Sequence, residues 1–486
     1  MLAPNDSAWL FAESYRTPMQ VGLLATFRVP ADRPDFVSDL VARWREHRVF
    51  SPPFSYLFKP RPAPSWQELS DDQIDLDYHL RHSALPGDGS QRELGVLVSR
   101  LHGSMMDRRY PLWECHVIEG LEKDRWSIYL KMHHSQVDGV GGIRMLRRIF
   151  SADPAARDLA PPWAVGISGP DQSGLAPPAP KAVEARSGGL VDGVLGLARD
   201  TVTVAGSLVR TYAESLAGMS EDDQAAPFRA PKTIFNGRIH TPRRFATQSY
   251  PVDRLKAVAT AADGSLNDVF LAICGGAIRT YLIELGKLPS STLTANVPVS
   301  VRQDHSSGHG ARVGNAITFL YASLGTDIDD SADRIRAIRD STKMGKARLP
   351  DVSGAPMEAY TAVLMLPFIA QAVLGVGGRG NPASNLVISN VPGPSEARYV
   401  DGSRMEEIHP VSLLFNGQAL NITAVSYDGQ FNIGYTGCRD SVPSLQKIAV
   451  YSGLELEKLE AAFGITEKKS GRGTSRAARR TRGSVT

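Results

Sequence analysis

The segment RWSIYLKMHHSQVDGVGG, residues 125–142, constrains the fold more than any other stretch of the 486-residue chain. Its first residues alternate in polarity, and a β-strand sends alternate side chains to opposite faces. One face of this predicted strand carries Trp126, Ile128, Leu130, Met132 and His134. Three glycines follow Asp138, and the apolar residues beyond them recur at helical spacing. The pattern predicts a strand that passes through a histidine-containing turn into a helix.

The adjacent histidines favour proton chemistry at this turn. His134 continues the apolar face, whereas His133 lies on the other, and burial among apolar side chains disfavours a protonated imidazole. A neutral imidazole near pH 7 accepts a proton from a hydroxyl group. Asp138 is expected to hold a basic side chain or a ring N–H and so to fix the loop, while the glycines permit close approach of a ligand.

The same residues allow two other interpretations. A histidine on an apolar face is also found as a structural residue of a protein core. A metal ion bound by His133, His134 and Asp138 requires distortion, because neighbouring strand residues point to opposite faces. No metal site is therefore predicted.

Two regions of mixed α and β pattern are predicted on either side of a linker. Chains of this length usually hold two or three domains, and a proline-rich break follows the first region. We predict an N-terminal subdomain over residues 1–165, a linker over 166–230 with an amphipathic helix at 189–216, and a C-terminal subdomain over 231–465. The predicted class is α/β (α+β), with a mixed sheet and helices in each subdomain.

The C-terminal region contains a strong helix start. Ser265 is a favourable N-cap residue and Asp268 follows three positions later, which is the pattern of a capping box. The segment VFLAICGGAIRTYLIEL is apolar on all sides and predicts a buried helix ending at Gly286. Asn267 lies in the first turn of this predicted helix, where the N–H groups favour negative charge.

The charge pattern separates a tail from the body. The net charge is +3, but residues 466–486 hold seven basic side chains and one acidic one, so the tail carries +6 and the body −3. A body with this balance gives no reason to expect nucleic acid as a partner. The tail is predicted to be disordered, and two alternatives remain open for it: contact with anionic lipid, or no partner at all.

The sequence contains few signals of compartment or membrane insertion. Its three distant cysteines fit a reducing compartment and argue against a disulfide framework. The first residues show no basic stretch before an apolar one, so no secretory signal is predicted. The apolar stretch 361–377 contains Pro367 and Gln371 and is at the lower limit for a membrane span. We predict a buried or interfacial helix there.

His133, His134, Asp138 and Gly139 form the pattern HHxxxDG. This pattern resembles the signature of the chloramphenicol acetyltransferase-like superfamily of acyltransferases, which peptide-synthetase condensation domains share. Ser135 and Gln136 replace the usual small and apolar pair inside it, which affects no catalytic residue. Further segments, between residues 2 and 460, resemble the bacterial wax ester synthase/diacylglycerol acyltransferase family: LAPNDSAWLFAE, TPMQVG, DLDYHLRHSALP, DRRYPLWECHVIEGL, SLNDVFLA, ANVPVSVR, NLVISNVPGP and GQALNITAVSYDGQFNIGY.

The resemblance implies a fold and an activity. The implied fold has two chloramphenicol acetyltransferase-like subdomains with the active site in the tunnel between them. The implied activity is transfer of a long-chain acyl group from acyl-CoA, a co-substrate, to the hydroxyl of diacylglycerol or a long-chain alcohol, with no cofactor and no acyl-enzyme. The protein would be cytoplasmic and peripherally associated with the inner membrane or lipid inclusions. A condensation-domain-like acyltransferase and a catalytically silent lipid-binding protein of the same fold are alternatives.

The resemblance also assigns residues. His134 is the implied general base with His133 beside it, while Asp138 and Gly139 shape the turn. Other residues are implied to border the site or to match family elements near it: Asn267, Asp268, the segment Pro111 to Trp113, Ser389, Asn390, Pro392 and Gly393. An acyl transfer also needs donors for the oxyanion. Asn267 is the first candidate, although local capping of its helix is an equal alternative, and Ser389 is the second.

Overall fold

The computed structural model describes residues 9–61, 63–167, 228–300, 317–347 and 377–465. The predicted linker helix at 189–216, residues 361–376 of the apolar stretch and the basic tail at 466–486 lie outside the described residues. These three stay predictions.

The described elements alternate between strands and helices along the chain. The strands are β1 (Gln20–Arg28), β2 (Tyr56–Lys59), β3 (Ser65–Glu68), β4 (Leu80–Ala84), β5 (Trp113–Leu121), β6 (Arg125–His133), β7 (Arg243–Pro251), β8 (Thr294–Ser300), β9 (Ile317–Ser323), β10 (Leu386–Pro392), β11 (Tyr399–Val400), β12 (Ser403–Val411), β13 (Leu420–Tyr427) and β14 (Gln430–Cys438). The helices are α1 (Phe36–Glu46), α2 (Leu76–His79), α3 (Gln91–Gly103), α4 (Gly139–Ile149), α5 (Pro162–Val165), α6 (Val252–Ala261), α7 (Leu266–Glu284), α8 (Ser331–Ala347) and α9 (Gln446–Ala462).

The first sheet has the strand order β11-β12-β1-β6-β5-β4. β1 pairs antiparallel with both β6 and β12, and β4 runs parallel to β5. As the alternation predicts, one face of β6 is buried in the core with side chains of α1 and α4, and it carries Trp126, Ile128, Leu130 and Met132. The opposite face of β6 is buried as well. There, Lys131 Nζ lies 2.9 Å from the Glu114 carboxylate and donates to the Leu101 carbonyl near the end of α3.

The second sheet has the order β7-β14-β13-β10-β8-β9, and α7 packs in the core beside it. Ser265 and Asp268 form the predicted capping box, and Gly286 follows the helix with a φ of +63°, a conformation that favours glycine. Among the described helices, α7 alone has the length and apolarity of a membrane span, but 72% of that window is buried inside the protein. The prediction of a buried helix at this place is confirmed.

A hairpin from the C-terminal half of the chain joins the two halves by pairing with the first sheet. β11 and β12 belong to the C-terminal half, yet they complete the first sheet through β1. The boundary predicted at residue 231 therefore does not separate the two sheets. Side chains add to this junction, because Gln91 Nε2 on α3 donates to Thr247 Oγ1 on β7 at 2.8 Å, and Ser99 Oγ accepts from the Phe245 amide at 2.8 Å.

Candidate active site

The histidine pair lies at the end of β6, where the backbone is held on both sides. The amide of His133 donates to the Leu112 carbonyl at 3.0 Å, and the amide of His134 donates to the Met19 carbonyl at 2.8 Å. Leu112 precedes β5 and Met19 precedes β1, the two strands that flank β6. The sheet therefore fixes the position from which both imidazoles project.

The imidazole of His134 packs against one aromatic ring and retains some exposed surface. Its ring centroid lies 4.3 Å from that of Trp9, which in turn lies 5.8 Å from Phe415 in the loop between β12 and β13. Nδ1 of His134 is buried and has no hydrogen-bond partner among the described residues. Burial lowers the pKa of His134 to about 4, although the nearby charge of Asp138 acts in the opposite direction. The ring is therefore neutral at pH 7.

His133 is buried and has a defined tautomer. Its Nδ1 accepts a hydrogen bond from the Ser135 amide at 3.2 Å and lies 2.7 Å from the Ser135 hydroxyl oxygen. Because Nδ1 accepts, a neutral ring carries its proton on Nε2. Nε2 faces the Glu13 carboxylate at 3.5 Å. Ser135, one of the two residues that depart from the usual motif, thus positions the ring of His133.

Glu13 is a buried carboxylate that the sequence analysis missed. It accepts hydrogen bonds from the Met19 amide at 3.0 Å and from Arg108 Nη2 at 2.9 Å, and its side chain is 2% exposed. Burial alone would raise the pKa of Glu13, but the nearby imidazole of His133, the Met19 amide and Arg108 outweigh it and hold the pKa below its usual value. Glu13 therefore connects His133 to the backbone that holds His134.

A signal for Glu13 was present in the sequence but was not specific. Leu10 is 2% exposed and lies three positions before Glu13, so both occupy the inner side of one helical turn. A polar residue at such a position is more often solvated than buried. Its partner Arg108 is 95 positions away, and local spacing does not reveal that pair.

Asp138 and Gly139 form the predicted turn, with a different partner for the carboxylate. Asp138 is the N-cap of α4, and its Oδ1 accepts from the Gly141 amide at 2.6 Å. It makes no ion pair with a basic side chain and no hydrogen bond to a ring N–H in the described part of the chain, so it fixes the loop through the backbone instead. A Cβ on Gly139 would lie 3.3 Å from Val391 Cγ2, and glycine thus permits close approach of β10.

The residues expected from the second subdomain fall into two groups. Ser389 and Asn390 lie on β10 immediately before Val391, so the structure places this stretch, with Pro392 and Gly393, beside the start of α4. Asn267 is half-buried in the first turn of α7, and among the described residues no hydrogen bond or ring contact joins it to the histidine motif. The carboxylate of Asp268 accepts from the Ser265 amide at 2.7 Å and from Thr342 Oγ1 at 2.6 Å, which is a structural role.

The segment Pro111 to Trp113 lies against the histidines. Besides the bond from the His133 amide to the Leu112 carbonyl, the indole of Trp113 donates to the Phe54 carbonyl at 2.9 Å and stacks on the ring of His79 with a centroid distance of 4.1 Å. These contacts hold the start of β5 rigidly next to the end of β6.

The cavity found in the described residues lies away from the histidine motif. In the described ranges, no group of three or more histidine, cysteine or acidic side chains is arranged to hold a metal ion. A groove of about 570 Å³ lies along α3, but its lining, which includes Leu85, Val96 and Arg100, contains no residue of the motif. The tunnel between the subdomains stays a prediction.

Comparison with known families decides the identity. The model of the wax ester synthase/diacylglycerol acyltransferase catalytic domain matches residues 2–270, and the model of the C-terminal domain of the same family matches residues 313–460. The chain belongs to the wax ester synthase/diacylglycerol acyltransferase family. A Mycobacterium tuberculosis protein provisionally named a diacylglycerol O-acyltransferase is 41% identical over 95% of this chain and 97% of its own length. An O-acyltransferase of Acinetobacter baylyi is 36% identical over 96% and 98%.

Solved structures agree with this family and with the fold class. The wax ester synthase/diacylglycerol acyltransferase of Marinobacter aquaeolei is 33% identical over 95% of this chain and 99% of its own, with a TM-score of 0.75. The first condensation domain of the calcium-dependent antibiotic synthetase reaches a TM-score of 0.55 at 15% identity over 95% of both chains, and this likeness concerns the fold alone. The resemblance and the α/β class with two subdomains are confirmed, and the protein is an O-acyltransferase.

The hydrogen bond from the Gly141 amide to Asp138 should stabilise the start of α4. Replacing Asp138 with Ala removes the acceptor for the Gly141 amide and should lower the free energy of unfolding by about 1 kcal/mol. Asp138→Asn keeps a good N-cap acceptor and should stay within a few tenths of a kcal/mol of the wild type. Thermal unfolding of the two variants checks this, and an Asn variant as unstable as the Ala variant would contradict the capping role.

Glu13 should affect turnover more than substrate binding. Glu13→Gln keeps an acceptor for the Met19 amide but loses the negative charge opposite Arg108 and His133. We expect kcat to fall by roughly tenfold, the equivalent of one charge-assisted hydrogen bond, with little change in the KM for the acyl donor. Steady-state kinetics measure both constants, with the exposed Glu68→Gln as the matched control. A raised KM with unchanged kcat would contradict the positioning role.

Proposed function

We propose that the protein transfers a long-chain acyl group from acyl-CoA to the hydroxyl of diacylglycerol, of a long-chain alcohol, or of both. The observation that carries this proposal is the neutral, largely desolvated imidazole of His134, held at the junction of the two subdomains. The names of its relatives support the choice of acceptors, because they refer to diacylglycerol as the group that is acylated and to wax ester as a product. No cofactor is required beyond acyl-CoA as co-substrate.

His134 acts as the general base in this proposal. Nδ1 is buried, so Nε2 is the nitrogen open to substrate. Nε2 takes the proton of the acceptor hydroxyl while the oxygen forms a bond to the thioester carbon. When the C–S bond breaks, the imidazolium returns that proton to the leaving thiolate of CoA. The products are an ester and free CoA, and no covalent acyl-enzyme is formed.

The surroundings of His134 support direct transfer between two bound substrates. Trp9 covers one side of the ring with apolar surface and packs in turn against Phe415, which limits access of water to the thioester. Cys115 and Cys274 are buried, and burial raises the pKa of the Cys115 thiol to about 12. A thiol with so high a pKa is a poor nucleophile at neutral pH, which favours a route without a cysteine intermediate.

The oxyanion of the tetrahedral intermediate needs hydrogen-bond donors. Ser389 is the better supported candidate, because it lies two positions before Val391 on the face of β10 that meets Gly139. Asn267 is supported by the family resemblance and by its place in the first turn of α7. We keep both as proposed donors, with Ser389 first.

The acceptors also suggest where the enzyme works. Diacylglycerol and long-chain alcohols reside in lipid, so we propose a cytoplasmic protein that associates peripherally with the inner membrane or with lipid inclusions. Contact between the basic tail and anionic lipid is part of this proposal.

One assay tests the proposed activity and its base together. Purified protein receives palmitoyl-CoA with either dioleoylglycerol or hexadecanol, and free CoA and lipid product are followed. We expect ester from at least one acceptor, and a loss of about 10² to 10⁴-fold in His134→Ala. The exposed His240→Ala serves as the matched control, because the side chain of His240 pairs with the surface carboxylate of Asp440. Turnover that survives in His134→Ala would refute the base, and absence of ester with both acceptors would refute the activity.

A further inference from the structure

We propose that Phe11 and Tyr15 form an aromatic patch that docks the active-site region on a lipid surface. This inference rests on the proposed function, because it assumes an acceptor that resides in lipid. It adds the surface that makes the contact and the kind of contact involved, which is insertion of aromatic side chains.

The two residues stand out by exposure. Phe11 is 66% exposed and Tyr15 is 72% exposed, the two highest values among the exposed large hydrophobic side chains of the described residues. A single exposed apolar side chain is normal on a protein surface, but two large aromatic ones four positions apart need an explanation. Aromatic rings with a polar edge are favoured at the boundary between lipid and water.

The aromatic patch lies on the segment that forms one wall of the candidate active site. Within that segment, Trp9 packs on the imidazole of His134 and Glu13 faces His133, while Leu10 is buried. Phe11 and Tyr15 belong to the same segment, but both are exposed to solvent. A lipid surface bound there would lie close to the proposed catalytic imidazole, because Phe11 is only two positions from Trp9. A lipid acceptor has to arrive at this place.

The backbone that carries the aromatic patch is firmly held. Arg108 Nη2 donates to the Leu10 carbonyl at 2.6 Å, and Thr241 Oγ1 donates to the Tyr15 carbonyl at 3.1 Å. Arg243 Nη2, from a buried side chain, donates to the Arg16 carbonyl at 3.1 Å. The rings are thus presented from a fixed frame, which lowers the entropy lost on docking.

The charge beside the aromatic patch favours an anionic lipid surface. Arg16 is exposed, and its guanidinium forms no ion pair with any described residue. A free cation next to two aromatic rings matches an interface with negatively charged head groups. Binding through buried aromatic area should persist at high salt, whereas binding through the basic tail alone should be screened. Salt therefore separates the two modes of attachment.

The test uses the full chain and vesicles of phosphatidylcholine and phosphatidylglycerol in a three-to-one ratio, at low and high salt. The variant is Phe11→Ser with Tyr15→Ser, and the matched control is Val450→Ser with Leu454→Ser, two residues of α9 that are 59% and 47% exposed and also four positions apart. At high salt we expect wild type and control to stay bound. The Ser variant should bind at least about tenfold more weakly than wild type. Phe11→Trp with Tyr15→Trp should bind at least as tightly as wild type.

The outcomes distinguish this proposal from the proposed function. Vesicle binding is measured by sedimentation and needs no enzymatic activity, so absence of ester formation would refute the proposed function and leave the docking result readable. Equal binding of the Ser variant and wild type, equal losses in the Ser variant and the α9 control, or complete release of wild type at high salt would each overturn the docking proposal. Self-association of wild type that the Ser variant loses would assign the patch to a second copy instead.

With an active enzyme, the Ser variant should lose rate on dioleoylglycerol in vesicles but keep it on water-soluble hexanol.

Discussion

The hydrogen bond from the His134 amide to the Met19 carbonyl, at 2.8 Å, is the contact on which the candidate site depends. It joins the end of β6 to the segment at residues 9–19, and Glu13 holds the Met19 amide of the same segment at 3.0 Å. Trp9 and Glu13 reach the two imidazoles only because this segment crosses the strand end. Burial of Glu13 is in turn tolerable because Arg108 supplies the opposite charge, since an unpaired buried carboxylate is costly.

Much of the fold was predictable wherever the determinant is local. Alternation in residues 125–133 gave β6, and the capping box at Ser265 with an all-round apolar segment gave α7. The exchange of β11 and β12 was not predictable, because strand pairing across more than 370 positions leaves no local pattern. Burial of the polar face of β6 was likewise not predictable, since Lys131 is buried through partners on β5 and α3.

The candidate site divides in the same way. His133, His134 and Asp138 lie within six positions, and their spacing with the following glycines was specific enough to identify the turn. The roles of Trp9, Glu13 and Ser135 were not predicted, because they depend on contacts with the histidines in the folded chain. The resemblance contributed Ser389 and Asn267, and the structure supports proximity to the motif for Ser389 through the contact of its neighbour Val391 with Gly139.

The pH dependence of kcat/KM for the acyl donor tests the central claim most directly, because it reports the protonation of the proposed base in the free enzyme. With a His134 pKa of about 4, the imidazole is neutral above that value, so kcat/KM should stay constant from about pH 6 to 8 and fall only below about pH 5. A fall in kcat/KM with an apparent pKa near 6.5, the value of a solvated imidazole, would contradict the account.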